Sequence, residues 1–440
     1  MSKTMSFRSS WFTDARFGIF IHFGLYSMAA RHEWIKKYEL ISDEDYQVYF
    51  DLFDPDLFAP AEWAAAARAA GMKYAVFTAK HHEGFCLWDS AFTDYKVTNT
   101  PAGKDLLREV LDAFRAEGLR VGIYYSLIDW HHPDFTIDTL HPLCDAPNRE
   151  ELNRNRDMAK YRQYMKDQIT ELLTGYGKID ILWTDFSYPK FSRGGKGHLD
   201  WDSEGLLALI RRLQPELLIN DRLDLPPGNA DIDTSVEQFL PENPVVDDSG
   251  RLLAWEACHT FSGSWGYHRE ERTWKSVKMC IDLLVQHVAY GGNMILNVGP
   301  TSRGKLDRRT KERLSGMGQW MELNSRAIYG CTRAPKKFVP PADCRYTYNP
   351  ENRRLYLCLL NWPYLYIHLP ELGGGKVKYT QLLADGSEIK RRESAEEQNG
   401  STPPGALTLD LPTLLPEEGC EVPVIEIIFE DSFLSTFEDE

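Results

Sequence analysis

The sequence predicts an α/β chain: a (β/α)8-like, TIM-type barrel, one or two helices short of the full set, followed by a C-terminal antiparallel β-sandwich. Short β-like runs alternate with helix-period patterns over the first three quarters of the chain, the pattern of a parallel sheet covered by helices. After A-I-Y-G-C-T-R-A-P at 327–335 it changes to short alternating runs separated by turn-rich pieces, an antiparallel signature. A length of 440 residues exceeds one ordinary core but suits a barrel of about 250 to 400 residues plus a smaller module.

Barrel strands are expected at 17–23, 73–79, 120–125, 179–185, 216–221 and 294–298, with helices near 61–70, 104–117, 155–174, 201–213, 272–289 and 307–326. These make fewer clear pairs than eight, hence the missing helices. In the last quarter R-L-Y-L-C-L-L, L-Y-I-H-L, K-Y-T-Q-L-L and V-I-E-I-I-F read as strands, with L-G-G-G-K and T-P-P-G as turns. The division is therefore 1–335 for the barrel and 336–440 for the sandwich. The acidic tail E-D-S-F-L-S-T-F-E-D-E is expected to fray at its end.

With 43% hydrophobic and 26% charged residues, long disorder is not expected away from the termini. A formal charge of -15 argues against a nucleic-acid or anionic-membrane partner, which would need clustered Lys and Arg to displace counterions. The amino terminus shows no apolar run followed by a small-residue cleavage site, and no segment approaches the roughly 18 apolar residues needed to span a bilayer. Cys86, Cys144, Cys258, Cys280, Cys331, Cys344, Cys358 and Cys420 are scattered, with no C-x-x-C pair, which fits reduced buried thiols better than a disulfide frame or a zinc site. A cytoplasmic location is expected, and a homo-oligomer is compatible with it.

In such barrels the residues at the carboxyl ends of strands line the active site. Here those ends supply His22, His81, His82, Tyr124, Tyr125, Trp130, His131, His132, Asp185, Asn220, Asp221, Arg222 and Asn297. Each alone has a structural reading as a hydrogen-bonded core histidine or a helix cap; their convergence on one mouth favours function. Adjacent histidines on a strand point to opposite faces and no H-x-x-x-H or H-x-H spacing occurs among them, so no metal is expected. Trp34, Trp88, Trp130, Trp183 and Trp265 in the same loops favour a sugar, whose C–H faces pack on aromatic rings while His, Asn and Arg take the hydroxyls.

At these residues the sequence resembles glycoside hydrolase family 29, the retaining α-L-fucosidases, over nearly its whole length. The matching pieces are W-F-T-D-A-R-F-G-I-F-I-H-F-G, A-K-H-H-E-G-F-C-L-W-D-S, G-I-Y-Y-S-L-I-D-W, D-I-L-W-T-D, I-N-D-R, W-E-A-C-H-T-F-S-G-S-W-G-Y and G-G-N-M-I-L-N-V-G-P. The resemblance implies a barrel followed by a β-sandwich. It also implies a nucleophile at Asp185, the Asp closing the W-x-D strand, and a second carboxyl about 5–5.5 Å away acting as acid/base. Glu237 is the preferred acid/base and Glu256 the second choice. Phe186 stands where glycine commonly follows the nucleophile. Substrate recognition is carried over to His22, Glu33, Trp34, His81, His82, Tyr124, Trp183, Arg222 and Trp265, with Trp183 and Trp265 as the apolar wall for the sugar methyl group.

The expected activity is thus exo-acting hydrolysis of terminal α-L-fucosyl residues from oligosaccharides or glycoconjugates, with no cofactor. The alternatives are a fucose-binding protein that has lost catalysis and a barrel glycosidase for a related sugar such as galactose.

Overall fold

Eight parallel strands form one sheet: β1 (Phe17–Ile21), β2 (Tyr74–Lys80), β3 (Arg120–Ser126), β4 (Ile181–Asp185), β5 (Leu218–Ile219), β6 (Ile232–Asp233), β7 (Ala254–Thr260) and β8 (Asn293–Val298). The order is β5-β4-β3-β2-β1-β8-β7-β6. Asn220, just past β5, bridges Ile232 of β6 in parallel, so the two ends of the sheet meet and the barrel closes. This computed structural model describes residues 7–191, 194–247, 249–363, 365–393, 405–416 and 420–434.

All seven residues of β2 and of β7 are buried, as expected of strands covered on both faces. Residues two apart share a face, and those pointing inward, including Phe20, Tyr74, Tyr124, Trp183 and Cys258, form one cluster inside the barrel. The outer faces pack on helices Pro60–Ala69, Leu106–Ala116, Met158–Gly175, Ser203–Leu213, Val277–Ala289 and Arg308–Asn324, which match the six expected helices. Their starts are written in the sequence: Asp105, Asp157, Ser276 and Asp307 each accept a backbone N–H as N-caps, and Pro60 opens its helix.

Two strands of the barrel were not anticipated. β6 is two residues long, and β7, A-W-E-A-C-H-T, carries Glu256 and His259 where a buried strand ordinarily carries apolar residues. Among the described residues no helix follows β5 or β6. Pro226, Pro227, Pro241 and Pro244 oppose one there, since proline lacks the N–H and clashes in a helix interior. The expected strand at 216–221 shortens to Leu218–Ile219, with Asn220 continuing only as a single bridge to Ile232.

Beyond the barrel, β9 (Thr332–Arg333), β10 (Cys344–Asn349), β11 (Arg354–Leu359), β13 (Val377–Leu382) and β16 (Val424–Phe429) form a five-stranded sheet, and β12 (Tyr366–Leu369), β14 (Lys390–Glu393) and β15 (Leu407–Asp410) a three-stranded one. Their pairings are antiparallel. The four strands expected from alternation are β11, β12, β13 and β16. Leu355, Leu357, Leu369, Leu409, Ile425 and Ile427 fill the space between the sheets. The end of the acidic tail, 435–440, and most of T-P-P-G lie outside the described residues. The sandwich is seated on the barrel: Trp320 Nε1 donates to the carbonyl of Val422 at 2.9 Å, and Arg326 pairs with the buried Glu426 at 2.5 Å.

Candidate active site

The carboxyl ends of β1 to β4 and the loops after β5, β6 and β7 converge on a cavity of about 200 Å³ lined by Phe20, His22, Glu33, Trp34, His81, His82, Tyr124, Trp183, Asp185, Phe186, Arg222, Glu237, Gln238, Cys258 and Trp265. Every expected substrate-contacting residue is on that wall, together with Asp185 and Glu237. The volume falls below the roughly 300–1,000 Å³ of drug-sized sites, which suits a single sugar ring.

Asp185 ends β4 with its side chain 18% exposed. The Tyr124 hydroxyl donates to Oδ2 at 2.9 Å, and His82 Nε2 lies 4.0 Å from the same oxygen. Burial raises the Asp185 carboxyl above its ordinary range; Arg222, the Tyr124 hydrogen bond and His81 oppose that shift, while Glu237 adds to it. The balance comes from a desolvated acid meeting a guanidinium and a hydroxyl aimed at its charged form.

The tautomers of two histidines follow from their neighbours. Asn297 Nδ2 donates to the carbonyl of Trp265 at 2.6 Å, so its Oδ1 accepts from His22 Nδ1 at 2.6 Å. Ser126 donates to the carbonyl of Ile128 at 2.6 Å, so its oxygen accepts from His82 Nδ1 at 2.7 Å. Burial, followed by the nearby His81, pushes both imidazoles well below their usual value. Both are therefore neutral, with Nε2 free of a proton and ready to accept from a hydroxyl.

His81 and His82 both face the cavity, with ring centroids 4.1 Å apart, contrary to the expectation of opposite faces. The reason is local: β2 ends at Lys80, so the pair lies in a loop where strand alternation no longer holds. Among the described residues no group of three His, Cys, Asp or Glu is arranged to hold a metal ion.

Glu33 acts on the loop after β7. Its Oε2 accepts from the backbone N–H of Trp265 at 3.2 Å and of Gly266 at 2.9 Å, and a Cβ at Gly266 would meet Tyr26 and Glu33. The chain there must approach closely, and Trp265 is turned toward His22, with ring centroids 5.4 Å apart. Trp183 stacks on Tyr124 at 5.9 Å and 21°, and the Arg222 guanidinium sits 5.5 Å from the Trp183 ring. Arg222 also donates to Thr234 Oγ1 at 2.9 Å and to Glu237 Oε1 at 3.0 Å.

The two candidate acid/base residues part company here. Glu237 stands on the loop after β6 with its side chain 57% exposed, on the cavity rim, and with a left-handed φ of 44°, a backbone conformation uncommon for non-glycine residues. Glu256 is fully buried inside the barrel and does not line the cavity. Its oxygens accept from the Tyr74 hydroxyl and from Trp183 Nε1, the latter at 3.3 Å. Burial pushes its carboxyl up to about 7.

Several strand-end residues serve elsewhere. Tyr125 binds Gln168 and Lys80, His131 stacks on Tyr95, His132 packs on Tyr161 and Tyr164, and Trp88 donates to Glu171. Trp130 buttresses Trp34 from behind at 5.3 Å. Phe20, Gln238 and Cys258 line the cavity without having been singled out for it. Phe20 was findable as the inward residue two before His22; Cys258 follows Glu256 by the same alternation once β7 is known to be a strand. A second cavity of about 180 Å³ lies behind the β5–β6 loop, but Asp221 on its wall is held by Thr234 through N–H and hydroxyl.

A model of the alpha-L-fucosidase family matches residues 2–326. The chain belongs to this family. As an alpha-L-fucosidase family member it is 31% identical to human plasma alpha-L-fucosidase, over 89% of this chain and 84% of that protein. Alpha-L-fucosidase isoenzyme 1 from Paenibacillus thiaminolyticus is 44% identical and superposes with a TM-score of 0.89, covering 97% of this chain and 99% of that one. A Bacteroides thetaiotaomicron alpha-L-fucosidase, solved as a trapped covalent intermediate with 2-fluoro-fucosyl fluoride, is 27% identical with a TM-score of 0.81 over 98% of each chain.

Proposed function

We propose that the protein is a retaining, exo-acting α-L-fucosidase in which Asp185 is the nucleophile and Glu237 the acid/base. The observation that carries the assignment is the pairing of a desolvated carboxylate at the floor of a one-sugar cavity with a second carboxyl group on its rim, the two linked through Arg222. The Tyr124 hydroxyl occupies Oδ2 of Asp185, leaving Oδ1 as the oxygen that attacks the anomeric carbon. Glu237 protonates the departing oxygen, then takes a proton from the water that breaks the fucosyl-enzyme. Glu256, enclosed beneath Trp183, has no path to a leaving group.

The sugar is recognised by complementary groups. Neutral His22 and His82 accept from hydroxyls and Arg222 donates to them, while Phe20, Trp183 and Trp265 form an apolar corner, with ring centroids 5.3 and 6.3 Å from Phe20. A methyl group fits that corner. A hydroxymethyl group would bring an unpaired hydroxyl, which apolar pockets reject only moderately, by about 10²-fold. A panel of nitrophenyl glycosides tests the reading: the α-L-fucoside is expected to be hydrolysed fastest, with the α-L-galactoside about 10²-fold slower. Binding of fucose without turnover of any glycoside would instead favour the non-catalytic reading.

Fucosylated oligosaccharides or glycoconjugates are the proposed substrates. A cytoplasmic location is our reading too, supported by eight free cysteines, seven of them buried; cell fractionation tests it.

A further inference from the structure

Glu256 is a buried carboxyl that the proposed chemistry does not use. It lies on β7 two residues before Cys258, so both point into the barrel, with Cys258 on the cavity wall and Glu256 one layer below. Among the described residues no Lys or Arg forms a salt bridge with it. The groups facing it are Tyr74 from β2 and Trp183 from β4, both donating to its oxygens, Asn293 from β8, which reaches the Tyr74 hydroxyl at 3.5 Å, and Cys258 on its own strand. A buried acid without a cation is costly compared with an apolar residue of similar volume, so its presence calls for a compensating use.

The Trp183 indole is the connection. Its N–H is held from below by Glu256, its ring stacks on Tyr124, which binds the nucleophile, and it carries the Arg222 guanidinium, which binds Glu237. We propose that Glu256 is a positioning residue, fixing the Trp183 indole and through it Tyr124 and Arg222 in the arrangement that aligns Asp185 and Glu237. The idea rests on the fucosidase reading for its consequence in turnover, but the Glu256–Trp183 contact stands independently of it.

Two measurements test it. In a double-mutant cycle on an aryl α-L-fucoside, Glu256→Met is expected to lower kcat by 10-fold or more, with a smaller effect on KM. Glu256→Gln, whose amide oxygen still accepts from the indole, is expected to stay within about 3-fold of the parent. In a Trp183→Phe background, Glu256→Met is expected to cost little more, because the two act as a unit. Additive losses would overturn the proposal. Should Glu256→Met fail to fold, the ¹⁵N-indole signal of Trp183, identified by its loss in Trp183→Phe, gives an independent reading. It is expected to titrate near neutral pH in the parent and to stay flat in Glu256→Gln; a signal flat in both, or titrating equally in both, would overturn the contact. If the parent does not hydrolyse the fucoside, the functional reading fails while the indole titration still decides the contact.

Discussion

The Tyr124 hydroxyl donates to Oδ2 of Asp185 at 2.9 Å across adjacent strands of the barrel. A phenol aimed at a largely desolvated carboxylate does two things: it occupies one oxygen, leaving the other free for the proposed attack, and it favours the ionised acid against the burial that raises its pKa. Hydrogen bonds to charged groups contribute about 1.5–3 kcal/mol. Tyr124→Phe is therefore expected to lower kcat/KM for an aryl α-L-fucoside by about 10- to 100-fold. Because the lost bond had lowered the Asp185 pKa, and a carboxylate in the proposed nucleophilic role works only when ionised, the acid limb of the pH profile should move to higher pH. A limb that stays in place, or moves down, would separate Tyr124 from the ionisation of Asp185.

The roles of the two carboxylates can be read from stereochemistry. Each displacement inverts the anomeric centre, so two give retention. Replacing Glu237 by Ala should slow natural glycosides, which need a proton on the leaving group, far more than activated aryl fucosides, which do not. Added azide should then intercept the fucosyl-enzyme and yield the α-fucosyl azide, with retained configuration. If Glu256→Ala, and not Glu237→Ala, shows this behaviour, the acid/base role belongs to Glu256.

Glu256 also links stability to pH. Its folded-state pKa of about 7 lies above the ordinary glutamate value of about 4.3, so the native state holds the proton more tightly than the unfolded chain. The stabilisation is fully present below about pH 4.3 and is lost as pH rises through about 7, a change on the order of 3 kcal/mol for this fully buried group. Glu256→Gln cannot titrate. The difference in unfolding free energy between parent and Glu256→Gln, measured by denaturant titration from pH 5 to 8, should shift in favour of the variant as pH increases. A difference independent of pH would remove the raised pKa.

The barrel was legible because its regular part follows simple rules. β1 to β4 and β8 are apolar runs covered on both faces, and the six helices carry helix-period spacing with Asp, Ser or Pro at their starts. β6 and β7 were not, because one is only two residues long and the other places Glu256 inside the barrel, where its partners Tyr74 and Trp183 come from strands distant in sequence. No local pattern announces a polar residue whose compensation is non-local. The site was legible at the strand ends, where polar residues cluster without a structural need. Its limits lay in loops: that His81 and His82 turn the same way, that Glu33 spends an oxygen on holding the Trp265 loop, that Trp130 stands behind Trp34 and that Trp88 is turned to Glu171 instead of the cavity all depend on tertiary packing.

The central claim is that Oδ1 of Asp185 forms a bond to C1 of the sugar. Incubation of the protein with 2-fluoro-fucosyl fluoride, followed by intact mass measurement and peptide mapping, tests it most directly. A single-sugar adduct is expected on the peptide containing Asp185, absent in Asp185→Ala. An adduct on another residue, or steady turnover of α-L-fucosides by Asp185→Ala, would contradict it.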